Sequence, residues 1–353
     1  MAPAVGAWFA GPVLEPPAVP SAAYTGLDDE GQVEVLRGVA LQAAEAFGLG
    51  VRDLALVLHA YNTTFRLDTD DGRRLALRVN TNSHSTPEHI VAQQEWLHAI
   101  AAGSEVLVPD PLRTPDGGWA VVVPCPQWGG PLHATVASWL DGDDVGTCDE
   151  EQARALGEAM ARLHDHAGSF VLPVGGALPV LDAPLLGDED LLSGHPDLPP
   201  GGAAVVDRAL ADTATSCAAV HAAGTPVVIH ADLHGGNLKW HRGRLAVFDV
   251  DDCGIGVPAL DLAITAFYLR DGTPGLEEAL RAGYAGVRTL PDVAPADFEA
   301  LVAARQLLLA NSLLASSTAA LRSEATAYLG VTVDRLRHWR STGRFTREVS
   351  ERA

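Results

Sequence analysis

Four side chains within about twenty residues could do chemistry together. They are His230, Asp232, Asn237 and Asp249, in the run Val-Ile-His-Ala-Asp-Leu-His-Gly-Gly-Asn-Leu-Lys-Trp and then Leu-Ala-Val-Phe-Asp-Val-Asp-Asp. Transfer of a phosphoryl group from a nucleotide needs these types in this order. A carboxylate receives the acceptor's hydroxyl proton, and an amide and a second carboxylate hold the metal that bridges the phosphates. Asp232 and Asn237 lie five residues apart on a short loop, so both can converge on one point. Asp249 ends an apolar run, 245–248, that reads as a buried strand and would deliver its carboxylate from a rigid element. A lone His-x-Asp says little; the four together say much more.

At these residues the chain resembles the aminoglycoside phosphotransferase and choline kinase-like group of small-molecule kinases, relatives of the protein kinases. Their pattern is His-Gly-Asp-x-x-x-x-Asn, an Ile-Asp-like strand end and a later Asp-Leu-Ala. Here Ala231 stands in place of the glycine, and the last motif is Asp261, Leu262 and Ala263. By order of elements the resemblance covers roughly residues 30 to 345. It implies an α+β, bilobal, protein-kinase-like fold with a small β-rich N-terminal lobe and a larger, mainly helical C-terminal lobe. It implies ATP and Mg2+ as cofactors, Asp232 as the catalytic residue that accepts or orients the hydroxyl proton, and Asn237 and Asp249 as metal ligands. His230 would shape the loop and Asp261 anchor it, both structural roles. Asp251 and Asp252 are read as simple surface acids, with assistance to the metal or attraction of a cationic substrate as the alternative, and His234, Lys239 and Trp240 are left without a role.

The elements that must position these groups are legible in outline. Residues 1–27 are proline-rich and read as an extended arm; 33–47 is a helical pattern. Three strand-like runs follow (54–59, 64–67 and 74–79), with Asp71-Gly72 as a hairpin signal between the last two. Thr86 then Pro87 opens a helix to about residue 102. Another strand at 119–123 is ended by Pro124 and Pro126. From Ala153 on, helical spacing dominates, as in Ala153, Leu156, Met160 and Leu163. The patterns at 205–223, 277–286, 295–314 and 324–340 continue it. This predicts an N-terminal nucleotide-binding lobe over 28–125 and a helical catalytic and substrate lobe over 126–353, joined near 124–128.

On the nucleotide side the third strand should project one cation toward the phosphates. Side chains alternate across a strand, so Ala76 and Arg78 share a face: Ala76 lets an adenine approach and Arg78 reaches phosphate. The related kinases usually carry lysine there, although arginine also binds phosphate well; the competing reading is a solvent-exposed strand arginine. The family's helix carboxylate is replaced by Gln93, which shares the inward face with Ile90 and Leu97, so the ion pair becomes an Arg78–Gln93 hydrogen bond. Glu95 points elsewhere. The turn at 59–64 has no glycine, leaving its backbone N–H groups and the side chains of Asn62 or Thr63 to meet phosphate, or else an ordinary polar turn. The segment 124–128 is the expected supplier of backbone groups to adenine.

Bulk properties narrow the partners. The chain has 353 residues, 47% hydrophobic and 20% charged, a composition for an ordered globular protein. Its net charge of -21 argues against nucleic acid, which needs a basic surface, and suits a cationic substrate. Four cysteines (Cys125, Cys148, Cys217, Cys253) show no Cys-x-x-Cys pairing, so reduced thiols in a cytoplasm are expected. The N-terminus lacks the basic region of a signal peptide, and the apolar stretch at 301–321 is interrupted by Arg305, Gln306 and Asn311, so it reads as a core helix rather than a membrane span. The leading expectation is an ATP-dependent phosphotransferase acting on a hydroxyl of a small, amine-bearing molecule. Aminoglycoside or cyclic-peptide antibiotics, homoserine, a methylthioribose-like sugar and choline are the candidate acceptors. The acidic segments 141–144 and 187–190 could line an amine-binding surface or be solvated loops. A stress-type Ser/Thr protein kinase, a nucleotide-binding pseudokinase and a metal hydrolase built from the Asp and His residues around 230–252 are the competing readings. The acceptor, ATP against GTP and the oligomeric state are not legible.

Overall fold

The computed structural model describes residues 20–81, 86–271 and 273–348. Most of the expected N-terminal arm therefore lies outside the described residues, which begin just before a short helix, α1 (Ala22–Thr25). Helix α2 (Asp29–Ala46) starts on an Asp28 cap and buries Leu36, Val39, Ala40 and Ala43 along one stripe. Strands β1 (Val51–His59), β2 (Thr63–Thr69) and β3 (Arg74–Val79) follow, with Gly72 at φ 87 in the β2–β3 turn. Helix α3 (Pro87–Gly103) begins as its sequence requires, with the Thr86 hydroxyl accepting from His89 N–H and proline at the first turn.

Strands β4 (Ala120–Cys125) and β5 (Gly130–Ser138) complete a five-stranded antiparallel sheet in the order β1-β2-β3-β5-β4. Alternation then sorts the side chains. Leu75, Leu77 and Val79 enter a core with α2, and Ala76 and Arg78 point to the opposite face. The expected join near 124–128 is corrected by this sheet. That segment ends β4 and turns into β5, with Pro124 opposite Pro131 and Trp128 packed edge-on against Tyr24, ring centroids 4.6 Å apart. Pro124 does not stop the strand because β4 is at the sheet edge, where a missing N–H costs nothing. The chain leaves the sheet only after Ser138.

The remainder is mainly helical. After the short β6 (Asp143–Asp144) come α4 (Glu150–Ala167), opened by an Asp149/Gln152 capping box, and α5 (Gly202–Ala223). Then come β7 (Val227–Ile229), β8 (Leu238–His241), β9 (Arg244–Val247) and β10 (Gly254–Gly256). Helices α6 (Pro258–Leu269), α7 (Leu276–Ala285), α8 (Pro295–Ala315) and α9 (Ala319–Thr342) close the fold. A Cβ on Gly157 would strike the Leu280 carbonyl, so only glycine lets α4 and α7 touch backbone to backbone. Helix α8 has the length and apolarity of a membrane span, but 72% of its most apolar window is buried in this second core. The α+β, kinase-like division into a sheet-based and a helical part is as the sequence led one to expect.

Candidate active site

The loop after β7 is held by one carboxylate. Asp261, in the first turn of α6, accepts from His230 N–H at 3.1 Å and Ala231 N–H at 2.6 Å. Successive N–H groups can converge this way because Ala231 sits at φ 62, in the left-handed region that glycine enters freely and alanine does not. The Ala-for-Gly exchange is thus a strained backbone position as well as a small-for-small change. The second oxygen of Asp261 also meets His164 Nε2 at 2.9 Å, and His164 Nδ1 lies 3.0 Å from the Tyr284 hydroxyl. Burial pushes the Asp261 carboxyl up, but the His164 hydrogen bond and the nearby imidazoles and N–H groups outweigh it, so its pKa is lowered. His230 ties this loop to the next: its Nδ1 accepts from Asp232 N–H at 3.3 Å, so Nε2–H donates to the Phe248 carbonyl at 3.1 Å.

Asp232 and Asn237 meet as their spacing suggested. Asn237 Nδ2 donates to Asp232 Oδ2 and to its carbonyl, both at 3.0 Å, so the amide oxygen is the atom left to bind a cation. Asp249 follows β9 at φ 65, and its Oδ1 accepts from Arg78 Nη1 at 2.8 Å. Arg78 is therefore no solvent-exposed strand residue: its side chain is 18% exposed, and its Nη2 pairs with Asp251. Asn62 Nδ2 donates to the same Asp251 carboxylate at 2.9 Å and fixes the strand end by accepting from Thr81 N–H at 2.9 Å. Ala76 lies half-buried on the face of Arg78, between Arg66 and Ala137.

Several expectations need correction. The carboxylates that pair with Arg78 come from the 249–251 loop, and Gln93 reaches that loop as well, donating from Nε2 to the Asp251 carbonyl at 2.8 Å. Thr63 is fully buried and its hydroxyl lies 2.7 Å from His59 Nδ1, so it turns away from the phosphate side. The 124–128 segment, being a hairpin turn of the sheet, is not an adenine-facing linker. Asp251 is no simple surface acid. Burial raises its carboxyl, Arg78 pulls it down and Asp249 pushes it up again, with a net upward shift. Among the described residues no three His, Cys, Asp or Glu side chains form a metal cage.

The residues that sequence reasoning missed lie on distant helices. Arg305 of α8, 4% exposed, pairs through Nη2 with Asp232 Oδ1 and stands 3.8 Å from Asp252 Oδ2. The Tyr268 hydroxyl takes Arg305 Nη2 at 2.8 Å, and the Tyr268 ring stacks on His234 at 4.2 Å. His234 Nε2 in turn lies 3.4 Å from Asp232 Oδ2. Burial pushes the Asp232 carboxyl up, but Arg305 and the two histidines pull harder and its pKa falls. An arginine inside an apolar helix was the available signal, since buried charge demands a partner. Asp232, Asp249, Asp251 and Asp252 line a cavity of about 320 Å3 together with Arg78, Arg305 and an apolar wall from 179–186 and α8.

Comparison with known proteins shows the family and the fold. Residues 55–297 match the model of the phosphotransferase enzyme family. Among curated proteins, amicoumacin kinase of Bacillus subtilis is 23% identical over 231 residues, 65% of this chain and 67% of its own length. An uncharacterized protein of Synechocystis is 29% identical over 195 residues, 53% of this chain and 52% of its own. The aligned regions thus span half to two thirds of these relatives. Among solved structures, a microcompartment-associated aminopropanol kinase superposes with a TM-score of 0.68 at 22% identity, covering 88% of this chain and all of its own. An amicoumacin kinase in complex with AMP-PNP and Ca2+ gives 0.65 at 19%, covering 86% and 93%.

Proposed function

This chain belongs to the phosphotransferase enzyme family, and we propose that it moves the γ-phosphate of ATP to a hydroxyl of a small, amine-bearing molecule. The observation that carries the reading is the meeting of Asp232, Asn237, Asp249 and Arg78 at one cavity. Asp232, ionised and oriented by Asn237 and Arg305, takes the hydroxyl proton as that oxygen attacks. Arg78 holds donor phosphate, and Ala76 leaves room for the base above it. The oxygens left on Asn237 and Asp249 are hard donors of the kind Mg2+ takes, one or two from protein with the rest from phosphate and water. Held there by Asn237 and Asp249, a divalent ion would supply charge neutralisation for the phosphates. His230 and Asp261 hold the loop and do no chemistry. Since all the side chains for transfer are present, a pseudokinase is disfavoured, and a cavity of about 320 Å3 with a leucine wall suits a small molecule better than a protein chain. An antibiotic acceptor accords with the amicoumacin kinases among the relatives. Use of ATP as donor fits a cytoplasmic protein.

The test is ADP release from Mg·ATP across a panel of hydroxyl-bearing amines, with the phosphorylated product identified by mass spectrometry. Asp232→Asn is expected to bind nucleotide and transfer nothing. Near wild-type turnover in that variant sinks the mechanism.

A further inference from the structure

Resting on the phosphotransfer reading, we infer that the Tyr61 hydroxyl is a catalytic donor: it hydrogen-bonds a non-bridging oxygen of the phosphoryl group in transit and leaves the phosphates of resting ATP alone. Tyr61 lies half-buried in the turn between β1 and β2 and lines the cavity with Asp232 and Arg305. Both parts of the molecule fix this turn. The Thr81 hydroxyl donates to the Tyr61 carbonyl at 3.2 Å, and Ala60 N–H donates to the Asn62 carbonyl at 3.0 Å. The Thr318 hydroxyl, from the junction of α8 and α9, donates to the Ala60 carbonyl, and the Asn62 amide is tied to Asp251. The phenol itself is different. Among the described residues its hydroxyl meets no hydrogen-bond partner. Burial pushes that hydroxyl up to about 12; Arg305 pulls it down, and Tyr328, Asp232 and Asp252 add to the rise. It therefore keeps its proton at neutral pH and stands among the groups of the proton-accepting end.

Transfer needs a donor at that end. The acceptor oxygen bonds the γ-phosphorus as the bond to the β–γ bridging oxygen breaks; ADP leaves with that electron pair, and the acceptor's proton goes to Asp232. The three other oxygens on phosphorus spread negative charge and move toward Asp232 and Asp252, which repel them. The charged donors nearby are already engaged. Arg305 Nη2 meets Asp232 Oδ1 and the Tyr268 hydroxyl, and its Nε lies 3.2 Å from the same hydroxyl. Arg78 stays on Asp249 and Asp251, and Asn237 Nδ2 on Asp232. A neutral O–H offsets the repulsion without adding a cation that competes for Asp232. It gives up no proton. Because the turn is fixed beforehand, little reorganisation is needed when the charge arrives.

Tyr61→Phe isolates the hydroxyl, and equilibrium titration with nucleotides requires no known acceptor. Mg·ADP with aluminium fluoride mimics the planar group in transit, and Mg·AMP-PNP the resting donor. Wild type is expected to bind Mg·ADP roughly tenfold tighter, or more, once aluminium fluoride is present. Tyr61→Phe is expected to lose most of that gain. Its affinity for Mg·AMP-PNP should stay within about twofold and its urea midpoint should not move, because the fold loses no hydrogen bond. An undiminished gain in the variant, an equal loss of AMP-PNP affinity, or a marked fall in its midpoint each overturns the inference. If wild type binds Mg·ADP and gains nothing from aluminium fluoride, the inference fails while nucleotide binding stands. If wild type binds neither Mg·ADP nor Mg·AMP-PNP, the phosphotransfer reading itself has failed.

Discussion

Replacing Asp261 with alanine removes the carboxylate that accepts two successive N–H groups of the reactive loop. One buried carboxylate takes His230 N–H at 3.1 Å, Ala231 N–H at 2.6 Å and His164 Nε2 at 2.9 Å. Alanine leaves all three groups facing a space that no side chain fills. A buried donor without an acceptor costs about 1–3 kcal/mol, so three of them cost roughly 3–9 kcal/mol, and the lower end applies where water enters. Asparagine keeps the shape and one oxygen, forfeits one N–H partner, and is expected to cost about 1–3 kcal/mol. Asp232 directly follows Ala231, so a freed loop shifts the reacting carboxylate, and a misplacement near 1 Å costs about a hundredfold in rate. Urea unfolding and kcat measured side by side test this, with KM for ATP moving little. Acid adds a second reading. The folded-state pKa of Asp261 lies below the unfolded value of about 3.9, so its stabilisation is full above that value and is lost as pH falls through the folded one. The alanine variant should therefore show a shallower loss of stability below about pH 4. An alanine variant within 1 kcal/mol of wild type, or one no worse than asparagine, refutes the anchoring role.

Four further outcomes follow from the same geometry. Ala231→Gly relieves left-handed strain of about 1–2 kcal/mol but loses a buried methyl and backbone stiffness of similar size, so its unfolding free energy should stay within about 1 kcal/mol, while Ala231→Val should lose more than about 2 kcal/mol. Arg305→Gln strips a buried carboxylate of its charged partner and is expected to cost about 3 kcal/mol, with kcat falling further than KM for ATP changes; equal effects on both would deny it a hold on Asp232. Arg78→Ala should weaken nucleotide binding chiefly, read by equilibrium titration with AMP-PNP, and an unchanged affinity removes Arg78 from the donor site. Chelation of divalent metal should weaken ATP binding at least tenfold in the same titration, because the carboxylates that Arg78 releases then stay uncompensated.

Local pattern carried the elements far and the pairings poorly. The runs at 54–59 and 74–79 and the Thr86-Pro87 start were readable because alternation and capping are short-range effects. Strand β5 escaped because it opens on Gly130-Pro131, two residues of weak strand propensity, so its place was decided by pairing with β3 and β4. Helix α6 escaped too: it is buried on every side, and a helix without a polar face has no period to read. The candidate site divides the same way. Asp232 and Asn237 were close in sequence, but Arg305 lies 73 residues from Asp232 and Asp251 lies 173 from Arg78, distances over which no spacing rule operates. His164, the third contact of Asp261, was hidden for the same reason.

The departures from the kinase pattern make sense as one set. A lysine ammonium is a point charge, whereas the arginine fork can pair with two carboxylates at once. Arg78 does so, with Nη1 on Asp249 and Nη2 on Asp251. The second carboxylate is therefore what an arginine at 78 answers to, and Asn62 adds a neutral donor to the same Asp251 oxygen. With two acids already on the guanidinium, a glutamate on the inward face of α3 would add a third negative charge to a buried cluster whose Asp251 carboxyl is already driven upward. Gln93 avoids that repulsion and supplies an N–H to the Asp251 carbonyl instead. Arginine for lysine and glutamine for glutamate thus belong together, and restoring either one alone should disturb the site more than restoring both.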